Sequence, residues 1–377
     1  KWREIRLFIV NYCIILLITL ITGCGRDQEL PDDQITLPVD TLQVTLEIGE
    51  EIGDSTNIFG SIIAAGIDEQ GRIIVLDEIE ACLKVFDMQG NYIQQVSRRG
   101  AGPGELMYPK GFFIMPDGRI GINSSDKSGY IIFDDSLKFV EEISLWQDNS
   151  PYHVTPISNS RLVTCRFEEN IWNETNFLRH TIAIYGWREE EWDTFLWKDS
   201  IEITENDFIK NPSAIINYIM FDRISTCSNE DGNIYFAPKD SYEYRITGWD
   251  STGTEILTIT RDMTAVMKTP EEITDEIFYA TSYLQRSSGR PLPFEFHPAP
   301  YRNMIIDVGI GPSGNLWVRR GTRNEPFFDI YDLDGNLLHH AVFPDDGLSW
   351  ETEVTSHGIL AWEADPLEGY QKLYLIE

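Results

Sequence analysis

Four times along the chain an apolar run breaks at Asp-x-x-Gly or a close variant and resumes as a β-rich run. An aromatic run ending in Asp and a second tight turn then follow. The copies are residues 67–75 with 85–92, 115–120 with 132–137, 229–236 with 248–253, and 311–318 with 330–336. This spacing predicts two hairpins per copy, hence four antiparallel strands. The turn residues follow from backbone chemistry. Asp and Asn accept hydrogen bonds from nearby amides, and Gly supplies the positive φ of a tight hairpin. They are read as structural.

Two weaker copies fill the gaps, residues 158–164 with 182–185 and residues 357–362 with 372–376, making six units. The last unit has only three strands, whereas residues 42–48 alternate as a strand with no unit of their own. Pairing the two closes a ring and removes an open edge. The expected fold is therefore all-β: a six-bladed β-propeller over residues 41–377, its last blade closed by the N-terminal strand. Two segments break the repeat. Residues 168–222, with Trp172, Trp187, Trp192 and Trp197, are longer than one blade needs. Thr269 before Pro270, with Glu271 and Glu272 in the first turn and Ile273, Ile277, Ala280 and Leu284 at helical spacing, predicts one external helix near 270–286. The proline-rich residues 291–300 predict an extended return to the next blade.

The stretch Gly100-Ala101-Gly102-Pro103-Gly104-Glu105-Leu106, followed by Pro109 and set after the first pair of turns, resembles the NHL-type repeat. It is similar to the six-bladed propeller lipoproteins of Bacteroidetes-like bacteria. The resemblance spans residues 40–377 and implies an architecture rather than a reaction.

The N-terminus gives an address. Lys1, Arg3 and Arg6 precede an apolar stretch over residues 7–21 that is interrupted by Asn11, Tyr12, Cys13 and Thr19. It is too short and too polar for the roughly 20-residue span of a bilayer helix, and it fits a signal-peptide core. Ile21-Thr22-Gly23-Cys24 resembles the bacterial lipobox. That resemblance makes residues 1–23 a lipoprotein signal peptide and Cys24 the lipid anchor in the bilayer. The first residue is Lys rather than Met, so the basic region reads as incomplete. Residues 24–40, with Asp27, Glu29, Asp32, Asp33 and two prolines, read as an acidic tether. The expected location is the bacterial cell envelope, facing the periplasm or the cell surface.

Composition fits this picture and removes one class of partner. With 42% hydrophobic and 12% aromatic residues the chain is globular rather than disordered, and its net charge of −31 with no basic stretch excludes nucleic acid. Cys82, Cys165 and Cys227 are too sparse for a disulfide framework or a zinc site and read as small buried hydrophobes.

Four chemical motifs fail on context. Residues 309–314 match G-x-G-x-x-G, but a strand rather than a helix follows. Residues 332–335 resemble part of a calcium loop but read as a hairpin turn. Residues 124–127 have S-x-x-K spacing without a helix start. The glycines of residues 100–104 could cradle a phosphate, but Pro103 removes a donor, and an interblade turn explains them better.

The six histidines show no metal-ligand spacing, so no catalytic residue and no cofactor is expected; a structural or channel metal such as Ca2+ stays open. In so acidic a chain the basic residues are more telling. Arg98, Arg99, Arg223, Arg302 and His297 occupy roughly equivalent entries to successive inner strands. Gathered at one mouth, they would bind a carboxylate or sulfate. The sequence thus favours a non-catalytic binding or scaffold propeller for an anionic glycan, peptide or protein partner. The alternative is a metal-dependent hydrolase or lyase with its site in the central channel.

Overall fold

Strands buried between two neighbours on both faces need no alternation, and the middle strands of the repeat read accordingly as unbroken apolar runs. Ile73–Asp77 and Cys82–Phe86 are buried at every position. The computed structural model describes residues 37–145, 151–170, 176–189, 192–204, 210–220, 224–288, 293–321, 327–343, 350–363 and 370–377. Contacts divide the chain into Lys1–Leu37 and Pro38–Glu377, and all the described strands lie in the second unit.

The chain enters through β1 (Val39–Thr41) and β2 (Val44–Ile48). Blade one is β3 (Ile62–Ile67), β4 (Ile73–Asp77), β5 (Cys82–Phe86) and β6 (Tyr92–Val96). Blade two is β7 (Pro109–Ile114), β8 (Ile120–Ser124), β9 (Gly129–Phe133) and β10 (Phe139–Ser144). Blade three is β11 (His153–Pro156), β12 (Arg161–Asn170), β13 (Phe177–Gly186) and β14 (Trp192–Glu202). Blade four is β15 (Thr226–Ser228), β16 (Ile234–Phe236), β17 (Tyr244–Trp249) and β18 (Glu255–Arg261). Blade five is β19 (Ile305–Ile310), β20 (Leu316–Arg320), β21 (Phe327–Tyr331) and β22 (Leu337–Val342). Blade six is β23 (Trp350–Thr355), β24 (Gly358–Glu363) and β25 (Leu373–Ile376), completed by β2 antiparallel to β25.

The first strands form a closed circuit, since β3, β7, β11, β15, β19 and β23 each neighbour the next and β23 returns to β3. This is the predicted six-bladed propeller. The apolar core is correspondingly not central. Six clusters each fill the wedge between adjacent blades, for example Leu76 and Leu83 with Ile122 and Ile131 between blades one and two. Each fully buried aliphatic side chain contributes about 1.5–3 kcal/mol, so every blade is stabilised by both neighbours.

Ring closure is double. Besides β2 on blade six, β1 pairs in parallel with β22 of blade five, which the alternation over residues 42–48 does not reveal. The crossing between them is fixed by Leu42 N–H donating to Val342 O at 2.9 Å and by reciprocal bonds between Gln43 and Glu377. Gln371 stitches the closing blade to blade one by accepting from Ile62 N–H.

Two described helices interrupt the strands. α1 (Pro212–Met220) lies in the connection from blade three to blade four, and α2 (Pro270–Ser288) in the connection from blade four to blade five. α2 opens with a capping box. Glu272 N–H donates to Thr269 Oγ1 at 3.2 Å, and Thr269 N–H donates to the Glu272 carboxylate at 2.7 Å. The hairpin Asp residues act as read from sequence. Asp87, Asp134, Asp250 and Asp332 each accept from the amides two and four residues on. Bonds from the Asn91, Thr252 and Asn336 side chains, and for Asp134 from the Lys138 amide, with the other amides adding to them, hold these carboxyls below the ordinary value.

Candidate functional site

The innermost strands stand around an axis rather than meeting on it, and they enclose a channel of about 3440 Å³. Its lining is mixed all round. On the side of blades one and two, β3 and β7 present Ile63, Ala64, Phe112 and Ile114, all half-buried and packed on the wedge between those blades. Gly66 makes room for this wall, since a Cβ there would lie 3.2 Å from the Phe112 ring. Round the rest of the ring the lining mixes polar side chains with apolar ones such as Val154, Ile157, Val308 and Val354. It includes His153 on β11, Ser225 before β15, Asp307 on β19, and Glu351 and Glu353 on β23.

Ser225 Oγ donates to Asp307 Oδ1 at 2.6 Å, and Val308 N–H donates to the same oxygen at 2.9 Å. His153 Nε2 lies 2.8 Å from Thr226 O. A carbonyl can only accept, so that nitrogen carries the proton. Burial lowers the His153 value and keeps the ring neutral. Arg319 is held by donating Nη1–H to Thr352 Oγ1 at 2.8 Å.

Burial raises Asp307 against the Ser225 bond, which lowers it. Glu353 is open to channel water but ringed by protein. That surrounding protein first, and the Asp307 charge second, push its carboxyl up to about 8. A carboxyl raised above its unfolded value stabilises the fold fully below that value, and the contribution is lost as pH rises through about 8. Glu353→Gln removes the titration and keeps the shape. The variant's melting temperature is therefore expected to fall less than the wild type's between pH 6 and pH 9, with the two proteins alike near pH 4. Parallel curves across the range would show that Glu353 ionises there without strain.

Four of the residues singled out from sequence are described, and the structure does not gather them in one site. Arg98 and Arg99 lie between β6 and β7, and His297 and Arg302 between β18 and β19; Arg223 lies outside the described residues. Arg98 pairs with Glu105 at 2.7 Å. Arg99 donates to Ile79 O at 2.6 Å and to Glu78 O at 3.1 Å. Arg302 grips Glu272 of α2 through Nε at 3.0 Å and Nη2 at 2.9 Å. His297 fastens α1 through its backbone, donating to Ser213 Oγ at 2.9 Å and accepting from Asn217 Nδ2 at 3.1 Å. None of these four residues lines the channel. In a body this acidic each arginine finds an acceptor nearer than the axis. The channel lining is itself acidic, with twelve Asp and Glu against five Lys and Arg.

The remaining motifs resolve locally. In the loop of residues 100–104, Gly102 N–H is taken by Glu105 and Gly104 N–H by Glu142, so these amides are not presented to an anion. Residues 124–127 turn between β8 and β9, and residues 332–335 turn between β21 and β22. Cys82 and Cys165 are buried, Cys227 is half-buried, and all three are free thiols. Among the described residues no three His, Cys, Asp or Glu converge as metal ligands.

Asp307 and Glu353 escaped the sequence reading although a signal exists. Asp307 is a charge set inside an apolar strand, Ile-Ile-Asp-Val-Gly-Ile, and Glu353 follows a regular alternation, Trp-Glu-Thr-Glu-Val. On an innermost strand such a side chain has only the channel to enter.

The sequence profile of the DUF5128 family, a 6-bladed beta-propeller, matches residues 59–256, just over half of the chain. The chain belongs to this family. Solved structures similar to this propeller include a member of the duf4221 family from Bacteroides vulgatus, at 11% identity over 89% of this chain and 97% of that one, with a TM-score of 0.49. Regucalcin, a calcium-binding protein from Agrobacterium tumefaciens, has 12% identity over 89% and 94%, with a TM-score of 0.44. Virginiamycin B lyase from Staphylococcus aureus has 8% identity over 89% and 99%, with a TM-score of 0.45. Likenesses this distant transfer no chemistry to this propeller. No curated protein matches the sequence.

Proposed function

We propose that the protein is a lipid-anchored, extracytoplasmic, non-catalytic binding propeller, held at the bilayer by Cys24 and taking its ligand in the central channel. The observation that carries this reading is the channel itself, a concave space of about 3440 Å³ with polar side chains supplied by four blades. Binding is favoured over catalysis because the polar groups at the axis are largely committed. The His153 Nε2 proton goes to Thr226 O, and Asp307 is engaged by Ser225. The anchor reading rests on the lipobox-like residues 21–24 and on charge. Without residues 1–23 the chain carries 27 Lys and Arg against 60 Asp and Glu, a charge of −33, which gains nothing from anionic headgroups, so acyl chains must hold it.

Two substitutions test the halves of the proposal separately. Cys24→Ala is expected to release the protein from the membrane fraction or to stall its processing. Unchanged membrane retention at normal mature size would sink the anchor. For the channel, Gly111 on β7 is informative, because a Cβ there meets nothing within 4 Å and a larger side chain enters open space. Gly111→Trp is expected to leave the melting temperature nearly unchanged while removing a small molecule that accompanies the wild-type protein out of the membrane, read by mass spectrometry. The same small-molecule profile from both proteins would contradict the channel as the binding site.

A further inference from the structure

We infer that the protein has a second binding surface outside the channel: an apolar platform of Tyr242, Val266, Met267 and Tyr301 that docks a partner protein through an apolar patch ringed by lysine and arginine. Met267 and Tyr301, both in the connection from β18 to β19, face each other across an antiparallel bridge. Lys268 N–H donating to Pro300 O and Arg302 N–H donating to Val266 O, each at 2.9 Å, close it. The Tyr301 ring packs on Tyr242, from the turn between β16 and β17, with centroids 5.5 Å apart, and Ser241 Oγ donates to Tyr301 O at 3.4 Å. None of the four platform residues lines the channel.

The polarity of this bridge is the reverse of what folding alone selects. Paired extended segments turn alternate side chains inward and outward, and here the charged set is the inner one. Lys268 pairs with Glu276 of α2 at 2.7 Å and Arg302 with Glu272 at 2.9 Å, their side chains only 7% and 10% exposed. The apolar set is outside. Met267 is 64% exposed, Tyr242 70%, and Val266 beside them 48%. Buried ion pairs carry a desolvation cost that apolar side chains in their place would avoid, and the exposed Met and Val forgo their own burial. A partner covering the outer face restores that burial. The ion pairs meanwhile brace the bridge against α2, whose first turn the capping box already fixes, so docking has little left to order.

Charge selects the partner. Lys268 and Arg302 are neutralised beneath the platform, and Arg245 pairs with Glu243 at 3.3 Å. Asp262 and Glu271, both exposed, stand within five residues of Met267 along the chain. A second copy would bring the same acids on a body at −31, so the platform does not suit self-association. An apolar patch with a basic rim complements both features, and Tyr and Met are residues that interface cores favour.

The test is photocrosslinking of the full chain in its own cells, with benzoylphenylalanine in place of Met267, of Tyr242, or, as a control, of the exposed Gln89 in the β5–β6 hairpin. Positions 267 and 242 are expected to give an adduct with one and the same protein, absent from position 89. Its crosslinked segment, read by mass spectrometry, is expected to carry apolar residues flanked by Lys or Arg. That partner, once purified, is titrated against the full chain in detergent micelles. Joint Tyr242→Ser and Met267→Ser substitution is expected to weaken it at least about tenfold, with the melting temperature unchanged because both side chains are exposed. Joint Asp262→Asn and Glu271→Gln substitution is expected to slow association, a difference that high salt removes. No adduct at 267 and 242, an adduct shared with position 89, a second copy of the chain in the adduct, a crosslinked segment without basic residues, or an unchanged affinity in the serine variant overturns the proposal. Gly111→Trp fills the channel and is expected to leave the adduct in place; its loss there would move the contact into the channel and overturn the platform.

Discussion

Deletion of residues 25–48 is expected to destabilise the propeller by about 5 kcal/mol and to make it aggregate. The deletion removes β2, and with it Leu42 and Ile48, both under 10% exposed, and the half-buried Leu46. Burying each such side chain contributes about 1.5–3 kcal/mol. It also strips the partner from β25, leaving a row of open amides and carbonyls that invites a second chain. Of the described strands, deletion of residues 25–41 removes β1 alone. That strand is exposed at all three residues, and its Asp40–His339 pair lies at the surface, so a loss of about 1–2 kcal/mol is expected from its backbone bonds. Calorimetry of the two truncations decides. If they melt alike, β2 does not close the ring.

The second large effect is expected at Asp329 on β21, whose side chain is fully buried. It accepts from Tyr244 Oη–H at 2.8 Å and from Arg261 Nη1 at 2.7 Å, both of blade four. Within blade five it contacts Arg320 Nε at 3.2 Å and His340 Nδ1 at 2.7 Å. One carboxylate therefore ties two blades together and balances the arginines around it. Asp329→Ala leaves those half-buried arginines, and the buried Tyr244 hydroxyl, without their acceptor, at a cost of about 2–3 kcal/mol. Chemical denaturation measures it, and a loss below about 1 kcal/mol would mean that water or a neighbouring acid takes over.

These structural roles explain which parts of the molecule can be read from sequence. The hairpin turns are legible because Asp87, Asp250 and Asp332, each with Gly three residues on, solve a local backbone problem with a fixed chemistry. α2 is legible for the same reason, since its capping box and acidic first turn are local, and it runs only two residues past the expected end. α1 is not. After Pro212 it carries Ile215, Ile216, Tyr218 and Ile219, residues that favour strands, and it is helical because Ile215 and Tyr218 pack beside Leu178 of blade three. β1 is equally hidden, because three exposed residues with no alternation form a strand only when β22 is already there to pair with.

The site follows the same division. The arginines were conspicuous in an acidic chain, but prominence in sequence does not carry the distance to the nearest carboxylate. Glu105 and Glu272 claim Arg98 and Arg302 before the axis can. Asp307 and Glu353 meet across blades five and six, and that meeting depends on ring closure rather than on any local pattern.

The channel as the ligand site is tested most directly by a crystal structure of the protein taken from its own membrane with the small molecule that accompanies it. The account predicts density for a small molecule inside the ring, against side chains supplied by several blades. An empty channel, or density only beside the arginine-bearing loops outside it, would contradict the account.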